Sequence, residues 1–163
     1  MSGNVFDEAP RVEPRSRAEW RRWLERNHSV SSGVWLVYPK KSSGLPGPSY
    51  DEAVEEALCY GWIDSRVRPL DGQRRLQWFS PRRPGSIWSA SNKARVARLL
   101  AAGLMAPAGL AKIEGAKADG SWEILDRVEA LEAPEDLAAA LAATPGAAAG
   151  FAALAPSLQK QYL

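Results

Sequence analysis

Apolar and polar positions along this chain change period several times, and each change marks an element. From Ser16, with Glu19 three residues on to complete a helix-start signature, Trp20, Trp23 and Leu24 recur at spacings of three and four. That spacing predicts a helix with one buried face, with His28 near its end. Residues 34–38 are apolar without interruption, the pattern of a strand covered on both faces, and Pro39 stops it. The segment KKSSGLPGP at 40–48 holds two glycines and two prolines and reads as a loop or flap.

Ser49 and Glu52 form a second helix-start signature, after which Ala53, Val54, Ala57, Leu58 and Gly61 lie along one stripe. Gly61 suits the left-handed residue that ends a helix. Beyond it the period drops to two. A strand there turns Ile63, Ser65 and Val67 inward and Trp62, Asp64, Arg66 and Arg68 outward. Asp71-Gly72 is a hairpin turn, and residues 74–80 return as its partner. Pro81 and Pro84 bracket Arg82 and Arg83 in an extended turn before a helix that begins between Ser86 and Ser91. Val96, Leu99 and Leu100 form its buried face, and Gly103 ends it. Pro107 opens the next helix, with Leu110 and Ile113 facing in, to about Gly120. Trp122 begins an acidic connection to Glu132. Pro134, Pro145 and Pro156 then stand in the first turns of three short alanine-rich helices, the middle one capped by Thr144. The fold class that follows is α+β: a small antiparallel sheet of about three strands packed by helices, with a helical C-terminal half. Residues 1–163 are read as a single domain, with the α+β core and its basic hairpin over 15–105 and the helical part over 106–163.

A chain of 163 residues that is 45% apolar can bury one core and is short for two. The net charge is only +2, but its distribution is uneven. Between Asp64 and Arg95 there are eight basic and two acidic residues, and between Glu114 and Asp136 eight acidic and two basic. This predicts a positive and a negative end. Cys59 and His28 each occur once, which excludes an internal disulfide and a cysteine-rich zinc site. No metal and no cofactor is expected. No apolar run approaches the ~20 residues that span a bilayer, and MSGNVFDEAP has no leader character, so the expectation is a cytoplasmic protein without a membrane partner.

The chemistry concentrates between Tyr60 and Trp88. If Arg82 and Arg83 fold back towards Trp62, Asp64, Arg66 and Arg68, their guanidinium planes can stack on Trp62 or Trp88 and pair with a planar or anionic ligand. The plainer alternative is that Asp64 forms salt bridges with Arg66, Arg82 or Arg95. Lys40 and Lys41 with the 44–48 loop would close over a pocket floored by Trp35, Tyr38 and Tyr60. Of the seven tryptophans, Trp20, Trp23 and Trp35 are expected inside, and Trp62, Trp78 or Trp88 partly exposed. Cys59 reads as an inert core thiol, and Asp51, Glu52, Glu55 and Glu56 as a solvated helix face.

The stretches SYDEAVEEALCYGWIDS, SPRRPGSIWS with Asn92 and Arg95, GLMAPAGLAKIEGAKADGSW and PEDLAAALAATPGAAAGFAAL followed by QYL resemble the bacterial YdeI/OmpD-associated, or bacteriocin-protection, family. Two departures stand out. Ala106 replaces the threonine usual in that family, removing a helix cap worth about 1 kcal/mol. The sequence also ends at Leu163, where the family usually continues into a basic tail. The resemblance implies tolerance to toxic compounds and names no catalytic residues. The reading that combines it with the residues is a small-molecule-binding protein acting by sequestration, in which Tyr60 and Trp62 stack on the ligand, Asp64, Arg66 and Arg82 orient it, and Lys40 and Lys41 close the loop. Two other classes stay open: an enzyme with Asp64 as general base, and non-specific nucleic-acid binding through Arg66, Arg68, Arg74, Arg75, Arg82 and Arg83.

Overall fold

The computed structural model describes residue 6 and residues 9–163, so the reading of the first ten positions as leaderless falls largely outside the described residues. Helix α1 (Arg17–Asn27) begins where Ser16 Oγ accepts a hydrogen bond from Glu19 N, and it buries Trp20 and Leu24. Helix α2 (Tyr50–Cys59) starts with the full reciprocal cap between Ser49 and Glu52. The Trp20 indole N–H donates to Ala53 O at 3.0 Å, which joins the two helices.

Both helices lie on one face of the sheet. Among the described residues that sheet has four strands in the order β1-β2-β4-β3, with β1 Arg11–Val12, β2 Val34–Pro39, β3 Trp62–Pro69 and β4 Arg74–Pro81. The count exceeds the three expected because β1, only two residues long, leaves no period in the sequence. It pairs parallel to β2, whereas β2–β4 and β3–β4 are antiparallel. β2 is central and buried through Tyr38. Val34 and Leu36 join the main core with Trp20, Leu58, Phe79 and Trp88. Trp35 and Val37 pack on the opposite face with Leu76 and Trp78.

The change from helix to strand falls at Gly61. Its φ of +73° is left-handed backbone, and an added Cβ would stand 2.6 Å from Lys112 Cγ and 2.9 Å from Ala108 O. The strand it starts does not keep a strict alternation. Asp64 pairs with Phe79 but Val67 with Gln77, so β3 advances three residues while β4 advances two. This bulge divides the proposed outward set. Cross-strand partners share a face, which puts Trp62, Asp64 and Val67 on the helix side and Arg68, opposite Leu76, on the other.

Helix α3 (Ala90–Ala101) is capped by Ser89 and buries Val96 and Leu99. Leu100, expected inside, is 47% exposed because it lies a residue off that stripe. Helix α4 (Pro107–Ala118) buries Gly109, Ile113 and Ala116, while Leu110 stays at the surface. Ala106 N donates to Cys59 O at 3.0 Å, and a Cβ on Gly109 would lie 2.3 Å from the same oxygen, so α4 packs its backbone against the end of α2. No side chain caps α4, as Ala106 implies. The remaining short helices, α5 (Asp126–Glu129), α6 (Glu135–Ala143), α7 (Ala147–Ala152) and α8 (Pro156–Gln159), bury no residue fully. Thr144 closes α6, its hydroxyl donating to Ala140 O, and Gly146 rather than Thr144 precedes α7.

Candidate functional site

A cleft of about 1150 Å³ opens between the 40–48 loop, the start of α2 and the helix-side face of the sheet. Tyr38 of β2, Asp64 and Val67 of β3, and Arg75 and Gln77 of β4 line it beneath Lys41 and Tyr50. The residues get there through the sheet's period. Tyr38 pairs with Arg75 and Leu36 with Gln77, so these side chains share the face that carries Asp64.

Asp64 organises the floor. Its Oδ2 accepts from Tyr50 Oη at 2.8 Å and from Gln77 Nε2 at 3.2 Å, while Oδ1 accepts from no described residue. Burial, with the hydrogen bond to Asp64, pushes the Tyr50 phenol up to about 12, so it remains a donor at neutral pH. Gln77 is buried, which fixes its amide. Asp64 therefore forms no salt bridge with Arg66, Arg82 or Arg95, and Arg95 pairs with Asp51 instead. Tyr50 and Gln77 carry no motif that marks them as site residues in the sequence. The legible signals were a tyrosine directly after the Ser49 cap and the alternation of β4.

The other predicted residues disperse. Lys40 lines the cleft, but its Nζ donates to Asp71 O and Gly72 O, each at 3.0 Å, bracing the hairpin turn. Lys41 is exposed at the rim. Trp35 faces away on the other side of the sheet, and Tyr60 lies at the far end of α2, beside His28 and under Arg21, so of the proposed floor only Tyr38 lines the cleft. Trp62 and Trp88 are buried at 1% and 2%, and Trp78 also counts as buried, which reverses the expectation that they are partly exposed. The reason for Trp62 is register: it sits before the bulge on the helix side, where its indole donates to His28 O. Arg66 stacks on Phe6 and Arg68 on Trp35, on the reverse face.

Arg82, Arg83 and Trp88 line a separate pocket of about 200 Å³ against α4. Cys59 is buried, and that burial raises its thiol pKa, as expected of a core thiol. Glu56 departs from the solvated face expected of it: it is 3% exposed and accepts from Arg17 at 2.5 Å and Arg21 at 2.7 Å. Among the described residues, no helix is long and apolar enough to cross a membrane.

Residues 130–163 match the family described as Bacteriocin-protection, YdeI or OmpD-Associated. The match is partial, covering the last of the motifs that carried the resemblance, whereas most of those before Ala118 lie in a stretch matched by another family. No curated protein and no solved structure matches the chain. That other match spans residues 12–112, the sheet from Val12 on with α1, α2, α3 and the start of α4, and on it the chain belongs to the family described as Domain of unknown function (DUF8412).

Proposed function

We propose that this protein binds a small planar molecule in the cleft under the 40–48 loop and contributes to antimicrobial or stress tolerance by sequestering it. The observation that carries the proposal is the cleft itself: about 1150 Å³, slightly above the usual range of small-molecule sites, with convergent polar groups over an ordered sheet. Asp64 Oδ1 would accept from a donor on the ligand, held in place by Tyr50 and Gln77. Tyr38 supplies an aromatic wall, and Lys41 and Arg75 would meet an anionic substituent at the rim. The bacteriocin-protection name of the family matched over 130–163 supports the physiological side of the reading. Binding without turnover suffices for sequestration, and the reading requires no reacting group.

Calorimetric titration with a panel of planar antibiotics that bear an amine or hydroxyl donor tests this directly. Saturable binding of at least one compound is expected, weakened about tenfold by Asp64→Asn, the loss of one hydrogen bond to a charged acceptor. Indifference to the whole panel, or full affinity in Asp64→Asn, would count decisively against the cleft as the site.

A further inference from the structure

Arg82 follows directly on β4, and its side chain is only 4% exposed. Its guanidinium lies 3.6 Å from the centroid of the Trp88 ring, and one Nη donates to Ile87 O at 3.3 Å. Its Nε is buried with no hydrogen-bond partner, and among the described residues no carboxylate stands within salt-bridge distance of it. A buried arginine without a paired anion is costly, because charges removed from water are ordinarily neutralised by a partner. Burial lowers this guanidinium to about 10, with Asp64 acting from a distance against the drop, so it is still a cation at neutral pH.

Ser121, 2% exposed, lines the same 200 Å³ pocket as Arg82, and its hydroxyl lies by the Asp119 carboxylate, whose pKa it helps to lower. An unsatisfied buried polar atom such as Arg82 Nε is uncommon and calls for an explanation. Lys112 and Arg83 add positive charge to the wall. The one acid there, Asp119, is already engaged: Oδ2 accepts from Gly85 N at 3.0 Å and Oδ1 from Ser121 N at 2.9 Å. Three cations against one carboxylate leave the pocket positive. The rest of its wall is mostly apolar or small, formed by the 84–86 turn, the Trp88 ring, and Ala111, Gly115 and Ala116 on one side of α4.

We propose that this pocket is a binding site for a compact organic anion, a carboxylate whose small apolar body rests against Trp88 and α4 while its charge meets Arg82, Arg83 and Lys112. The site is independent of the cleft under the 40–48 loop and shares none of its lining residues. Occupancy would supply the anion that Arg82 lacks, so binding stabilises the fold as well as the ligand.

Benzoate and acetate, with benzamide as the neutral isostere, are the probes, read by thermal midpoint and by calorimetry on the full chain. Benzoate is expected to raise the midpoint saturably and benzamide to leave it unchanged. Lys112→Gln and Arg83→Gln, neither of which removes the buried arginine, should each weaken benzoate by about threefold to tenfold. Absence of saturable benzoate binding overturns the proposal, as does equal binding of benzamide or undiminished affinity in both variants.

Discussion

Arg17, Arg21 and Glu56 meet where α1 lies against α2, and Glu55 joins them through Arg17. Glu56 accepts on both oxygens, from Arg17 Nε and Arg21 Nη1, and Arg21 also donates to Leu104 O at 2.9 Å, extending the tie to the segment before α4. A carboxylate this buried is stable only while both arginines neutralise it. Glu56→Gln keeps the shape and removes the charge, leaving Arg21 against a neutral amide while Arg17 keeps Glu55 at 3.0 Å. The expected loss is about 2–3 kcal/mol in urea unfolding. It falls below the figure for a fully buried pair because both arginine side chains are 32% exposed. The neighbouring Asp51, 73% exposed against Arg95, should contribute almost nothing by the same measurement. Position along one helix face, not residue type, separates the two acids.

Among elements, α4 brings its backbone against the end of α2, and two of its glycines do opposite things. Gly109 lets the helix backbone approach the carbonyls of Leu58 and Cys59; a Cβ there would come within 2.7 Å and 2.3 Å of their oxygens. Gly115, one and a half turns on, has nothing within 4 Å of a Cβ. Alanine improves helix propensity at both by about 1 kcal/mol. Gly109→Ala is nevertheless expected to destabilise by about 1–3 kcal/mol through overpacking against rigid backbone, while Gly115→Ala should stabilise by up to about 1 kcal/mol. Denaturant midpoints of the two single variants check the pair; a gain at both positions would mean that α4 can shift off α2. The bulge in β3 is the other element-scale device. The extra residue between Asp64 and Val67 keeps Asp64 over the cleft and sends the Arg68 side chain to Trp35 on the reverse face. The hairpin arginines are thereby spread over two faces and partly occupied, with Arg74 paired to Glu13 and Asp71.

At the scale of the molecule, the buried residues end at Ser121, and α5 to α8 add only half-buried contacts and ion pairs such as Lys160 with Glu129. The two family matches divide the chain in nearly the same way, one ending at residue 112 and the other beginning at 130. Stability should therefore reside before that divide. A chain ending at residue 132 is expected to keep its thermal midpoint within about 4 °C of the full chain, equivalent to roughly 1 kcal/mol. A collapse of the midpoint would show that the C-terminal helices support the core in a way their exposure conceals.

Local order was legible in the sequence because its causes are local. The Ser16 and Ser49 caps, the left-handed Gly61, the Asp71-Gly72 turn and the proline at the start of α4 act within a few residues, and each element begins or ends where they place it. The α+β class followed from the same signals. What tertiary structure decided was which side chains meet. A single extra residue in β3 reversed the faces assigned to its arginines, because strand period is two and one insertion inverts everything beyond it. Ten residues of α2 separate Tyr50 at the cleft from Tyr60 at its other end, a span of about 15 Å. Glu56 went inside because two arginines from another helix were there to meet it, and Gln77 joined Asp64 across the sheet, pairings that no spacing along the chain encodes.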